Sequence, residues 1–357
     1  MKVLISAGGT GGHIYPALAI INKIKEMEPD STFLYIGTHN RMENEIVPNK
    51  GIPFKTLEVY GLSKKIFKNF KVLDCFRKSY KKALSIISEY DPDIVIGVGG
   101  YVTVPVIMAA HKLGYKTFLH EQNSIAGKAN KFLAKYASLV GVSFASSAKY
   151  FKKTKVVLTG NPCATNAITT KSIPKSKYGL TKDKKLVLIV MGSLGASTVN
   201  KVVVDAIPNF KNKDYEVLFV TGNGFKEKIK NIPSNVKVVP YVDNMAGIMK
   251  SVDVMVSRAG ASTLSEILAL NVPSVLIPSP FVPNNHQYIN ALDLVDNNAA
   301  LMLEEKDLNK DTLINNIDAL INDKTKIKEM KKNLDKMAIK DSSDIIYKEL
   351  KGMMERG

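Results

Sequence analysis

Ala7-Gly8-Gly9-Thr10-Gly11-Gly12-His13 is the stretch on which the fold turns. It follows the apolar run Val3-Leu4-Ile5 and precedes an apolar-periodic segment that starts near Tyr15. The local reading is strand, tight glycine loop, helix. Such a loop lets backbone N–H groups and a helix N-terminus face a ligand with no Cβ in the way. His13 adds a titratable imidazole where the loop becomes helix. The loop could serve a cofactor or a catalytic step, and the rest of the chain has to separate the two.

Working outward, strand-like runs recur at residues 32–36, 94–98, 117–120, 139–142 and 156–159. Helical patterns lie between them, as at 72–89 and 104–113. Strands alternating with helices predict a mostly parallel sheet covered on both faces. The pattern breaks at Gly160-Asn161-Pro162, and residues 165–177, rich in Thr, Ser, Lys and Pro, read as a linker. It then restarts with a strand at 186–190, the loop Gly192-Ser193-Leu194-Gly195 and a helix at 198–207. Further strands are predicted at 217–221, 236–240, 252–256 and 274–277. Two similar doubly wound domains follow, 1–162 and 163–341. Two or three Lys-rich helices close the chain, and the last, about 342–357, is expected to pack back onto the first domain.

The 357 residues suit two cores better than one. Cys75 and Cys163 have no metal-like spacing, which argues against a disulfide or zinc framework. Met1-Lys2 runs straight into the first strand, so no signal peptide is expected, and no apolar run reaches 18 residues, so a cytoplasmic or peripheral protein is expected. The net charge of +17 fits anionic ligands, an anionic membrane or nucleic acid. A Lys-rich proteome explains many single lysines but not their clustering.

Gly97-Val98-Gly99-Gly100-Tyr101 is a third glycine loop closing a strand. A dinucleotide enzyme fits these loops poorly. The spacing is not G-x-G-x-x-G, and the second strand ends at Ile36-Gly37-Thr38 without an acid to hold a ribose. Arg258-Ala259-Gly260-Ala261-Ser262-Thr263-Leu264-Ser265-Glu266 opens a helix after a strand. Glu266 either accepts two hydrogen bonds from a cis-diol or merely faces the helix dipole. Asn284-Asn285-His286-Gln287 could read sugar hydroxyls, although helix capping explains one of the four. His120-Glu121-Gln122-Asn123 lies where open α/β sheets bind ligands.

The segment from Lys64 to Lys82 carries eight basic residues against one acid, Asp74. Leu73, Phe76 and Tyr80 read as the core-facing stripe of a helix. Lys64, Lys65, Ile66, Phe67, Phe70 and Lys71 read as a loop that mixes aromatics with lysines and suits an anionic membrane interface.

Taken in order, these motifs resemble the MurG family of bacterial glycosyltransferases over nearly the whole chain. The resemblance implies a GT-B fold, two Rossmann-like doubly wound domains facing across a cleft. It implies inverting transfer of GlcNAc from UDP-GlcNAc to the C4 hydroxyl of the MurNAc unit of lipid I, giving lipid II. By similarity Ser193 meets the diphosphate, the Val242 backbone the uracil, and Glu266 the ribose. Ala261, His286, Gln287 and Asn123 meet the GlcNAc, with Thr10, Gly11 and Gly12 near the sugar and diphosphate. His13 is the base candidate, and Tyr101 and Glu121 stand near the acceptor. No cofactor and no metal are implied, and no D-x-D pair suited to a metal appears in either loop region. The implied partners are UDP-GlcNAc, lipid I, anionic inner-leaflet lipids and other cell-wall synthesis proteins, at the cytoplasmic face of the membrane. Two departures stand out. An Arg expected two residues after Gly-Asn-Pro is Ala164, and Ser-Gln-Gly is Ser193-Leu194-Gly195. Rival readings are another UDP-sugar:lipid transferase, a UDP-GlcNAc 2-epimerase and a nucleic-acid-binding protein. The last leaves the three glycine loops unexplained.

Overall fold

The computed structural model describes residues 1–61, 66–192, 196–225, 227 and 229–355, with the backbone alone for 66–70. The chain divides into two compact units. One comprises Met1–Cys163 and Asp341–Gly357, the other Ala164–Lys340.

The first unit is built on seven parallel strands: β1 (Lys2–Ala7), β2 (Thr32–Thr38), β3 (Phe54–Leu57), β4 (Ile94–Gly99), β5 (Thr117–Glu121), β6 (Leu139–Val142) and β7 (Val156–Leu158). Their order is β3-β2-β1-β4-β5-β6-β7. Every residue of β4 and β5 is buried, as expected of strands covered on both faces. Val3 and Ile5 point to a core made with Ile14, Ala17, Ile21 and Ile24 of the helix Gly11–Met27. Leu4 and Val95 point to the other face, against Ala83 and Ile87 of the helix Ile66–Tyr90 and Val106 and Ala110 of the helix Thr103–Lys112. β3 escaped the sequence reading. It has four residues at the sheet edge, and only Leu57 is buried.

The second unit has six parallel strands: β8 (Lys185–Val190), β9 (Tyr215–Val220), β10 (Val236–Val239), β11 (Val254–Ser257), β12 (Ser274–Leu276) and β13 (Leu301–Met302), ordered β10-β9-β8-β11-β12-β13. Both orders reverse direction at the first strand of the unit, as in doubly wound sheets. β13 is two half-buried residues and carried no strand signal.

Three expectations need correction. Residues 66–71 are not a loop, because the helix begins at Ile66. No Gly or Pro separates them from the segment read as helical, so nothing stops the helix earlier. Leu73 does not face the core and is 49% exposed. The buried stripe runs through Cys75, Ser79, Ala83, Ile86 and Ile87, and Leu73 lies half a turn away from it. Part of the expected linker is the helix Cys163–Thr169, whose first N–H is met by Asn161 Oδ1 at 3.0 Å.

The last helix, Ser342–Glu355, belongs to the first unit and packs Ile346, Leu350 and Met353 into the core with Ile20 and Ile24. Glu28 ties it down. Its carboxylate accepts from Lys351 Nζ at 2.8 Å, from the N-terminal amine of Met1 at 3.0 Å and from the Tyr347 hydroxyl at 2.9 Å. Lys351, the amine and the hydroxyl together hold the carboxyl well below its ordinary range, at about 2, against the opposing effect of burial. A depressed carboxyl adds stability above its unfolded pKa, and that stability is lost as pH falls toward the folded value. Glu28→Gln should therefore unfold at lower denaturant than the unmodified protein at pH 7. The gap should close between about pH 5 and pH 2, read by denaturant titration at each pH. A gap that stays constant across that range would mean the charge contributes nothing.

Candidate active site

Parallel strands bring the polar loops of the first unit to one edge. β1 and β4 lose regular register there, between Ser6 and Ala7. The irregularity lets Gly8 N–H donate to Gly99 O at 3.2 Å, joining the first glycine loop to the one after β4. Thr10 is extended (φ −148°, ψ 157°) and its carbonyl accepts from the N–H groups of His13 and Ile14. Gly11 and Gly12 are the first residues of the helix, and Thr10 and Gly12 are exposed at its N-terminus. His13 Nδ1 lies 3.0 Å from Gly8 O. A carbonyl only accepts, so the proton sits on Nδ1 and Nε2 is the basic nitrogen of the neutral ring. The ring lies flat against Gly99, where a Cβ would come within 2.6 Å of His13 Cδ2. Tyr101, 54% exposed, sits beside this loop with its ring over Gly61.

The cluster after β5 is turned inward. Glu121 is buried and accepts four hydrogen bonds: Asn123 N (3.0 Å), Asn123 Nδ2 (3.3 Å), Gly127 N (2.9 Å) and Asn130 Nδ2 (2.9 Å). It shapes the turn from Gln122 to Gly127. His120 is fully buried, and burial pushes its pKa down to about 4. The neutral ring bonds Gly160 O through Nε2 at 3.0 Å and meets the Gln122 amide at Nδ1, 2.9 Å away.

In the second unit the corresponding edge carries Gly192 (φ +85°), and Ser193 and Leu194 lie outside the described residues. The helix Ser197–Ala206 follows, with no side chain among the described residues capping its N-terminus. Gly260 is extended, and Ala261 starts the helix Ala261–Leu270, again with no side-chain cap. Two uncapped helix N-termini leave backbone N–H groups for an anion. Glu266 stands in the second turn, half-buried, with no hydrogen-bond partner among the described residues. Burial alone pushes its carboxyl up to about 7. The dipole-facing reading of Glu266 is weakened, since it is past the first turn where that effect is felt.

Val242 is buried just beyond β10. Gln287 Oε1 accepts from Ser279 N at 2.9 Å, which turns the amide NH₂ outward as a donor. His286 Nδ1 lies 2.9 Å from Pro283 O, so the neutral ring presents Nε2 as an acceptor. Neither Asn284 nor Asn285 makes a side-chain capping hydrogen bond among the described residues. Both are left-handed (φ 55° and 50°), a conformation that Asn tolerates better than most residues.

Two groups were missed from sequence. Glu43, fully buried, accepts from Gly9 N at 3.2 Å and lies under the first glycine loop. Its signal was a carboxylate set among apolar Met42, Ile46 and Val47. Arg258 pairs with Glu305 at 2.8 Å, and Glu305 accepts from Thr198 Oγ1 at 2.8 Å, fixing the start of the helix after the second glycine loop. No local pattern links residues so far apart.

Lys64 and Lys65 lie outside the described residues, as do the side chains of Ile66, Phe67 and Phe70. Lys71 is exposed on the helix, with Leu73 exposed two residues on. Among the described residues no helix is long and apolar enough to cross a membrane. No group of three His, Cys, Asp or Glu among them could hold a metal ion.

The model of the glycosyltransferase family 28 N-terminal domain matches residues 3–142, and that of the C-terminal domain matches 186–346. The chain is 45% identical, over 100% of both chains, to a Bacillus cytotoxicus UDP-N-acetylglucosamine–N-acetylmuramyl-(pentapeptide) pyrophosphoryl-undecaprenol N-acetylglucosamine transferase. A Pediococcus pentosaceus protein of the same name is 42% identical over 99% of both chains. A crystal structure of MurG from Acinetobacter baumannii superposes with a TM-score of 0.79 at 25% identity, covering 98% of this chain and 99% of that one. With full-length identity above 40% and both domain models in place, the chain belongs to glycosyltransferase family 28, among its MurG transferases.

Proposed function

We propose that this protein is an inverting hexosyltransferase that moves GlcNAc from UDP-GlcNAc to the C4 hydroxyl of MurNAc in lipid I, giving lipid II and UDP. One observation supports the assignment of the chemistry to residues: His13 Nδ1 is held on Gly8 O, which leaves Nε2 as the basic nitrogen of the neutral ring. The acceptor O4 forms the new bond to the anomeric carbon while the bond from that carbon to the UDP oxygen breaks. His13 Nε2 takes the hydroxyl proton. A neutral imidazole is suited to this at neutral pH. The N-termini of the helices Ser197–Ala206 and Ala261–Leu270 favour the negative charge that gathers on UDP.

We assign Glu266 to the ribose diol. It is a carboxylate with no donor among the described residues, and the two ribose hydroxyls would supply two. Gln287 donates to the GlcNAc and His286 accepts from it. Thr10, Gly11, Gly12, the Ala261 backbone and Asn123 line the sugar and diphosphate, Ser193 meets the diphosphate, and the Val242 backbone meets the uracil. Tyr101, exposed beside His13, meets the acceptor. Glu121 spends its four acceptor positions on its own turn, so its part is to hold Asn123 in place. The basic segment with Lys64, Lys65, Ile66, Phe67, Phe70 and Lys71 holds the enzyme against anionic lipids of the inner leaflet, at the cytoplasmic face. Other cell-wall enzymes are its natural neighbours.

The reaction is tested with UDP-GlcNAc and lipid I, with UDP-glucose and UDP-GalNAc as control donors. No transfer from UDP-GlcNAc would sink the reading. His13→Ala should lower turnover by about 10²–10⁴-fold with UDP affinity nearly unchanged. Turnover within a few-fold of the unmodified enzyme would remove His13 as the base. Only ionised Glu266 accepts from both ribose hydroxyls. The affinity advantage of the unmodified enzyme over Glu266→Gln for UDP should therefore shrink as pH falls through about 7, measured by calorimetry. A constant ratio would place the ribose elsewhere. Changing Lys64, Lys65 and Lys71 to Gln should weaken sedimentation with anionic vesicles by about a hundredfold, at about 1 kcal/mol per lysine. Neutral vesicles serve as the baseline.

A further inference from the structure

The peptide unit that joins Gly8 to Gly9 is held from both ends. Its carbonyl oxygen accepts from His13 Nδ1–H at 3.0 Å. Its N–H donates to Glu43 Oε2 at 3.2 Å. Glu43 Oε1 accepts from Thr38 N at 3.1 Å and from Thr38 Oγ1 at 2.6 Å. Glu43 is fully buried, and none of these partners is a cation. A Cβ on Gly8 would fall 2.5 Å from Glu43 Oε1, so the loop rests directly on the carboxylate.

An amide bonded to an anion at its N–H becomes a stronger acceptor at its carbonyl, because hydrogen bonds in series polarise one another. The low-dielectric surroundings of a buried carboxylate strengthen that effect. A stronger acceptor at Gly8 O holds the proton on Nδ1 and stabilises the imidazolium that forms when Nε2 takes a proton. In a serine-protease triad the carboxylate bonds the imidazole directly. Here one peptide unit stands between them.

We propose that Glu43 is a positioning residue for the transfer reaction. It acts on His13 through the Gly8–Gly9 peptide, fixing the tautomer and strengthening Nε2 as the base. The inference rests on His13 being that base. The other titratable groups on elements packed around the loop are Tyr15 on the helix of His13, Tyr35 on β2, Tyr101 on the turn after β4, and His39, Arg41 and Glu45 beside Glu43. Tyr15, Tyr101, His39, Arg41 and Glu45 are exposed; Tyr35 is buried like Glu43, and burial first and the Glu43 charge second push its hydroxyl up, so it stays neutral across the range tested.

The experiment uses the full chain and two readouts. The first is the ¹⁵N spectrum of His13 across pH, assigned with His13→Ala. The second is kcat against KM for UDP-GlcNAc. Glu43→Gln should move the His13 midpoint down by about half a pH unit or more and raise the share of the Nε2–H tautomer. It should lower kcat about tenfold, with KM within about twofold. Thr38→Val loosens the same contact but keeps the charge, and should leave the His13 midpoint where it is. An unmoved His13 spectrum in folded Glu43→Gln overturns the proposal and leaves the base reading standing. So does Thr38→Val moving the midpoint as far as Glu43→Gln, since the role would then be mere support. If Glu43→Gln does not fold, Glu43→Asp, which draws the charge back by one methylene, is compared with Thr38→Val on the same criterion. His13→Ala with turnover within a few-fold of normal overturns the base reading, and the catalytic half of this proposal with it.

Discussion

Parallel pairing is the constraint on which the rest of this molecule depends. All strand pairs in both sheets are parallel. A parallel strand cannot reach its neighbour by a hairpin, so the chain must cross over each time. Every strand in a sheet then delivers its carboxyl end to the same edge. Gly8 to His13, the turn at Tyr101 and the turn after Glu121 share one edge. Gly192, Glu266 and Gln287 share the other sheet's edge. The interiors of the strands are apolar and closed, so the edges are where polar chemistry can collect.

Three carboxylates at those edges show how local donors decide the fate of a charge. Burying an unpaired carboxylate costs several kcal/mol, whereas each hydrogen bond to a charged group returns roughly 1.5–3 kcal/mol. Glu121 has four donors and Glu43 three, which is enough to hold a buried carboxylate in place. Glu266 has none among the described residues, and its carboxyl is pushed up to about 7. The first two find their donors in the backbone and side chains around them. The same contrast separates the histidines: His120 is enclosed and kept neutral, while His13 is only half-buried, with one nitrogen committed and the other basic.

The sequence determined the alternation of strand and helix, the restart after Gly160-Asn161-Pro162 and the three glycine loops, because each is a local pattern of period, apolarity and turn chemistry. Family membership was legible for the same reason, since its motifs are short and stand in order. The edge strands β3 and β13 were not legible, being too short and too exposed to leave a pattern. The phase of the helix Ile66–Tyr90 was misjudged at Leu73, because a helix with apolar residues on more than one side takes its inward face from its neighbours. Only tertiary structure placed Glu43 beneath Gly9, set Glu305 between Arg258 and Thr198, and turned Glu121 inward. Each of these is a contact between residues made neighbours by crossover connections. Charge and burial at such contacts depend on which donors arrive, and the order of residues along the chain does not record that.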